Sequence, residues 1–152
     1  MANTIYEEHK NDVPVFIGVL NGVVMFMSDF LKQYPGECEI SFLKMVSYEG
    51  METTGEVHLQ MDIPMDITGR HVIILEDIVD TGNTLEVLHK LLSTKNAKSI
   101  KVATLLYKPD AYKKDLPIDL VALTIPDKFV VGYGLDYDGL GRNLQDIYQI
   151  KN

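Results

Sequence analysis

Apolar residues along the chain fall into two kinds of run, unbroken stretches of strand length and stretches spaced along one face of a helix, and the two kinds alternate. Val72-Ile73-Ile74-Leu75 is the clearest of the first kind. Such an unbroken, largely β-branched run predicts a strand buried on both faces of a sheet. Glu76 and Asp77 follow where that strand is expected to end, and Asp80 comes just before Thr81-Gly82-Asn83-Thr84. From Thr84 the period turns helical, with Leu85, Leu88, Leu91 and Leu92 sharing a face. Strand, acidic turn, small polar loop and helix thus follow one another without a break.

Residues 13–20 repeat the unit: an apolar run, an Asn21-Gly22 turn, and an apolar helix from about Val23 to Tyr34 that Pro35-Gly36 stops. Ahead of it, residues 1–12 are polar with no clear period and are expected to form a loose lead-in. Residues 40–46 read as the next strand. Residues 47–55 carry two glycines and no apolar period, which predicts a mobile loop. Residues 56–61 alternate as one strand of a hairpin, and residues 63–69 lead into the central strand. Residues 99–106 and 120–124 are further strands. The 129–134 segment follows a Pro126-Asp127-Lys128 turn, and residues 147–150 make a short edge strand. The alternation predicts an α/β fold with a mainly parallel, doubly wound sheet flanked by helices. Residues 1–152 read as one domain, without repeats or linkers.

Composition narrows the function. With 152 residues, 46% hydrophobic and 24% charged, the chain can bury a core without disulfides or metal. A formal net charge of -8 argues against nucleic acid as a partner. Any polyanionic ligand must then be received locally, by helix N-termini, a few cations and Mg²⁺. The lone Cys38 excludes an internal disulfide and fits a reducing cytoplasm. Its neighbours Glu37 and Glu39 are expected to raise the thiol pKa, so it reads as packing and not as a nucleophile. No apolar run approaches the ~20 residues that cross a bilayer, and no membrane partner is expected. His9, His58, His71 and His89 show no metal-ligand spacing and no partner Ser or Cys, so structural or solvated roles suffice for them.

The central segment carries the chemistry. A helix N-terminus presents unpaired N–H groups and a partial positive charge, which suits a phosphate. Thr81 and Thr84 add hydroxyl donors, and Gly82 lets the backbone come close to a ligand. Glu76 and Asp77 repel a bare phosphate but can accept hydrogen bonds from sugar hydroxyls or hold a divalent cation through water. A ligand with a ribose in the middle and phosphate at one end fits both halves. Taken singly, Thr81 reads as a helix cap. It is three acids and two threonines in this order that favour a site. The chain has neither the Gly-Lys-Ser/Thr of a P-loop nor a GxGxxG.

Glu76-Asp77-Ile78-Val79-Asp80-Thr81-Gly82-Asn83-Thr84 resembles the phosphoribosyl-diphosphate (PRPP) motif of type I phosphoribosyltransferases. The 125–137 segment with Arg142, and Ala103 to Lys108, resemble the hypoxanthine or hypoxanthine-guanine members. The resemblance covers nearly all of the chain and implies a core sheet flanked by helices, a flexible loop and a small hood. It implies that Glu76, Asp77, Asp80, Thr81, Gly82, Asn83 and Thr84 bind PRPP, with Asp80 the catalytic base or acceptor at purine N7. Leu20, Asn21 and Gly22 match the pyrophosphate loop, whose peptide after the leucine can be cis, and Arg142 matches the arginine that reaches pyrophosphate. Relatives often carry lysine where Asn21 stands. Phe129 would stack on the purine against Ile78 or Leu135, Lys108 would donate to O6, and main-chain groups at Val130 would read the N1 edge. Asp136 would hold Mg²⁺ through water beside Glu76 and Asp77, and Ser47 and Tyr48 would sit on the closing loop. In isolation Phe129 reads as a core aromatic, Lys108 as a surface lysine and Asp136 as a turn residue.

Family members usually have a longer segment before the first strand. A shortened hood, or one built from the C-terminal part alone, is therefore expected. The implied reaction is Mg²⁺-dependent transfer of 5-phosphoribosyl from PRPP to N9 of hypoxanthine or guanine, a purine salvage step giving IMP or GMP and pyrophosphate. The implied assembly is a homodimer or homotetramer. Two other readings stay open at this point: a nucleotide-binding regulator of the same fold without turnover, and a transferase preferring xanthine.

Overall fold

The protein is described here by a computed structural model covering residues 1–47 and 57–150. Its elements in chain order are α1 (Ala2–His9), β1 (Val15–Leu20), α2 (Val24–Gln33), β2 (Glu39–Ser47), β3 (Val57–Met61), β4 (His71–Val79), α3 (Asn83–Thr94), β5 (Ser99–Tyr107), β6 (Leu120–Thr124), β7 (Val130–Val131) and β8 (Tyr148–Gln149). Six strands form one sheet in the order β3-β2-β1-β4-β5-β6, and β7 pairs with β8 in a separate ribbon. All neighbours in the large sheet are parallel except β3, which runs antiparallel to β2.

β4 shows why its sequence is an unbroken apolar run. Alternate side chains point to opposite faces. Val72 and Ile74 join a core layer with Leu85, Leu88 and Leu92 of α3. Ile73 and Leu75 join the other layer, with Ile5 of α1 and Phe26, Met27 and Phe30 of α2. All four β4 residues are essentially inaccessible to solvent. The sheet is thus covered by helices on both faces, as a mainly parallel sheet requires.

Two expectations need correction. Residues 1–12 are not a loose lead-in, because Ala2–His9 forms a helix. Its buried stripe is Ala2, Ile5 and His9, and a stripe with a single large apolar residue gives almost no periodic signal. β4 also does not end before its acids: Glu76 and Asp77 lie within the strand, which continues to Val79. Most of the expected 47–55 loop, Tyr48 included, lies outside the described residues. Among those described, no helix is long and apolar enough to cross a membrane.

The β7–β8 ribbon is tied to the sheet's carboxyl edge. Tyr133 donates from its hydroxyl to Asp29 of α2 at 2.6 Å, and Gly134 lies against the Gly22 carbonyl. Burial, and then this bond to Asp29, push the Tyr133 phenol up to about 12. Leu140, by contrast, is 76% exposed. Because Ile73 is buried between helix and sheet, Ile73→Ala should destabilise the fold by about 2–5 kcal/mol. Leu140→Ala should stay within about 0.5 kcal/mol, both read from urea-unfolding midpoints.

Candidate active site

β1 and β4 are neighbours, and from them the chain builds the sheet outward in opposite directions, β2 on one side and β5 on the other. The carboxyl ends of two such strands open a crevice in which α/β folds bind ligands. The Leu20-Asn21-Gly22 loop leaves β1 there, and the Asp80-Thr81-Gly82 loop leaves β4. The Leu20–Asn21 peptide is cis.

The cap of α3 is Gly82, not Thr81. Its φ of 86° lies in the left-handed region, where an L side chain is strained. A Cβ would also meet Tyr112 and the Lys114 stem. No side chain caps this helix, so its first N–H groups point into the crevice without an internal acceptor. A cavity of about 220 Å³ opens directly on them, lined by residues 76 and 78–85. An uncapped N-terminus facing a cavity is a receptor for an anion.

Beside it sit two carboxyl groups that burial holds towards neutrality. Glu76 is only 5% exposed, and burial followed by the charge of Asp77 raises its pKa well above the ordinary range. Burial pushes the Asp77 carboxyl up to about 6, opposed by backbone N–H bonds and by Arg142. Asp77 rests directly on Gly22: a Cβ at that position would overlap its Oδ2. Only glycine in the β1 loop lets that loop approach β4 this closely.

Lys108 joins this side of the crevice through Asp80. Lys108, 6% exposed, donates through Nζ to Asp80 Oδ2 at 2.9 Å and to Asp127 Oδ1 at 3.3 Å. Burial pulls its pKa down, but the two carboxylates outweigh this and the net shift is upward. Lys108 is therefore no solvated surface lysine. Phe129 is 52% exposed, so it is no core aromatic, and its ring meets Tyr137 edge-on at 5.5 Å. Val130 opens β7, Ile78 is half-buried in β4 and Leu135 is buried.

Asp136 sits in a turn, as its sequence context suggests, and also engages Arg142. It accepts from the Gly139 N–H at 2.8 Å, as a turn residue does, and pairs with Arg142 at 2.6 Å. Arg142 also donates to the Gly134 carbonyl at 2.8 Å. The guanidinium is thereby held at the mouth of the β1 loop. Ser47 ends β2. Asp127 was missed by sequence reasoning: only its place just before Lys128-Phe129 hinted at it. The raised pKa of Cys38 comes from burial and not from the flanking acids.

The oxygen donors here suit Mg²⁺, a hard cation that keeps several waters. Among the described residues, however, the oxygens of Glu76, Asp77 and Asp136 do not gather into a three-ligand cluster. They fit an ion whose shell is completed by water and by a ligand's own oxygens.

A family model described as "Phosphoribosyl transferase domain" matches residues 1–138. The hypoxanthine-guanine phosphoribosyltransferase of Staphylococcus epidermidis is 43% identical over 152 residues, covering 99% of this chain and 85% of that protein. The hypoxanthine phosphoribosyltransferase of Escherichia coli K12 is 39% identical over 146 residues, covering 95% of this chain and 82% of that one. A crystal structure of a hypoxanthine phosphoribosyltransferase from Staphylococcus aureus superimposes with a TM-score of 0.92 at 40% identity, over 99% of this chain and 82% of the other. The six-stranded sheet and its helices are those of the type I phosphoribosyltransferase fold. With the acidic motif, the uncapped helix and the β1 loop in one crevice, and the family model spanning nearly all of it, the chain belongs to the phosphoribosyl transferase family.

Proposed function

We propose that the protein transfers the 5-phosphoribosyl group from PRPP to N9 of hypoxanthine or guanine, releasing pyrophosphate, as a purine salvage enzyme. The observation that carries this reading is the cavity over the uncapped α3 N-terminus, walled by Glu76 and Asp80, with Lys108 bonded to Asp80 at its rim. In this reading the 5-phosphate sits on the backbone N–H groups and hydroxyls of Thr81, Gly82, Asn83 and Thr84. Glu76 and Asp77 accept from the ribose hydroxyls, and as bound Mg²⁺ and the hydroxyl donors offset their burial, the charge they regain would favour an oxocarbenium-like transition state. Leu20, Asn21, Gly22 and Arg142 receive the pyrophosphate. Asp136, with Glu76 and Asp77, would hold Mg²⁺, which would supply neutralisation of the leaving pyrophosphate.

The base would lie between Phe129 and Ile78 or Leu135, with its N1 edge towards the main chain at Val130. Lys108 has three donors, and Asp80 and Asp127 engage two of them. The third suits a 6-oxo group, whereas a 6-amino group would leave it without an acceptor. Asp80, bonded to Lys108, would accept at N7 as N9 attacks. By the family resemblance, a loop that follows Ser47 at the end of β2 would close over the site and exclude water. The β7–β8 segment would act as the hood of one domain spanning residues 1–152, in a cytoplasmic homodimer or homotetramer.

The direct test is product formation from PRPP and Mg²⁺ with hypoxanthine, guanine, xanthine and adenine supplied separately. Monophosphate from hypoxanthine or guanine, with little from adenine, is the expected result. Tight PRPP binding with no product from any base would instead support a nucleotide-binding regulator, and a dominant xanthine product would reassign the acceptor.

Asp80→Asn should lower turnover by about 10²–10⁴ while PRPP affinity changes little. Single-turnover kinetics beside equilibrium PRPP binding separate the two effects. Asp77→Asn should act on stability with a sign set by pH. A carboxyl whose pKa is raised on folding, here from 3.8 to about 6, binds its proton more tightly when folded. Its contribution is fully present below the unfolded pKa and is lost as pH rises through the folded one. The ligand-free Asp77→Asn protein should therefore melt above the wild type at pH 8 and lose that advantage near pH 4, by thermal melts at both pH values.

A further inference from the structure

At the amino-terminal edge of the sheet, away from the crevice, three metal-ligating side chains meet. His9 ends α1, Asp12 lies in the connection to β1, and His71 opens β4. One ligand atom from each lies within 4.8 Å of the other two. The His9 and His71 rings are tilted at 52° with centroids 4.7 Å apart, and His71 Nε2 is 3.6 Å from Asp12 Oδ2. Along β4, at ~3.3 Å per residue, this cluster is roughly 17 Å from Glu76.

His9 is the anomaly that needs a reason. It is 5% exposed, and neither ring nitrogen has a hydrogen-bond partner. Buried polar atoms nearly always find one, and a bare one in a native fold asks for an ion, a water or a function. Burial first, then His71 and Lys101, push the His9 pKa down against the opposing pull of Glu8 and Asp12. Glu8, 4.0 Å from His9 Nε2, is itself engaged by Lys101. An imidazole in its neutral form keeps one unprotonated nitrogen, the form that metals bind.

His71 is oriented by the adjacent strand. Its Nδ1 lies 2.6 Å from Ser99 Oγ on β5. In the tautomer whose Nδ1–H donates to that hydroxyl, Nε2 keeps its lone pair on the side of Asp12. Metal-bound histidines usually have such an outer partner on the other ring nitrogen.

We propose that His9, Asp12 and His71 form a divalent transition-metal site, suited to Zn²⁺, that fastens α1 to the first residue of the central strand. Two imidazoles and one carboxylate match a borderline ion, whereas Mg²⁺ and Ca²⁺ prefer oxygen alone. Bonds of roughly 2.0–2.2 Å require the three atoms to draw in. Asp12, with its side chain 47% exposed, can swing inward to do so. An adjoining cleft of about 380 Å³, lined by Tyr6, His9, Asp12 and Tyr34 among others, lets water reach the remaining coordination position. An ion bound only by the folded state stabilises it by mass action.

The test is a Zn²⁺ titration of the metal-free full chain, with a chromophoric chelator as competitor and excess Mg²⁺ to occupy the crevice carboxylates. One equivalent per chain is expected. Asp12→Asn and His71→Asn should weaken it by more than about a hundredfold, and Ser99→Ala, which removes only the outer partner, by roughly 10–100-fold. Zn²⁺ should also raise the melting temperature of the wild type and leave that of Asp12→Asn unchanged. Absence of stoichiometric binding by the wild type, or binding untouched by Asp12→Asn, overturns the assignment. Should His71→Asn fail to fold, the half-exposed Asp12 decides alone.

Discussion

The structure depends on one constraint: a strand buried on both faces must still deliver charge at its end. β4 is packed by α3 on one side and by α1 and α2 on the other, which fixes its position. Glu76 and Asp77 are carried on that same strand, and burial drives both towards neutrality. Among the described residues neither closes an ion pair. Stability of the empty protein would be served by amides at these positions, so their retention as acids is a matter of what the crevice receives.

The other site residues are arranged around that constraint. Gly22 is the residue that lets the β1 loop reach Asp77, and Gly82 starts α3 without a side-chain cap. Their combined effect is a pocket with N–H donors on one wall and acids on the other. A sugar phosphate has complementary groups in that order. Lys108 links this pocket to the purine side by bonding to Asp80 and Asp127, so the proposed acid–base residue and the proposed specificity residue share one hydrogen-bond network. Removing either would disturb the other.

Much of this was legible in the sequence because the signals were local. The unbroken Val72 to Leu75 run, the leucine spacing from Leu85 to Leu92 and the acids between them specify strand, turn and helix in one stretch. Where burial depended on distant partners, the signal failed. α1 has too few apolar residues to show a period, and packing against α2 and the sheet explains its helix. The acids seemed to end β4 because charge inside a buried strand is unfavourable, yet backbone pairing with β5 carries the strand through Glu76 to Val79. Asp127 and the His9, Asp12 and His71 cluster could not be read from spacing, since each joins residues far apart in the chain. Phe129 and Lys108 were misleading one at a time: the ring is exposed and the amine buried, the reverse of what their types suggest.

The central claim, that the β4–α3 turn holds a ribose phosphate with a 6-oxopurine reaching Lys108, is tested most directly by a crystal structure with IMP bound. The account predicts the phosphate on the N–H groups of residues 81–84, the ribose hydroxyls on Glu76 and Asp77, and the base against Phe129. Lys108 should then donate to O6 while keeping Asp80. A phosphate bound away from the α3 N-terminus, or a base that leaves Lys108 bonded only to Asp80 and Asp127, would contradict it.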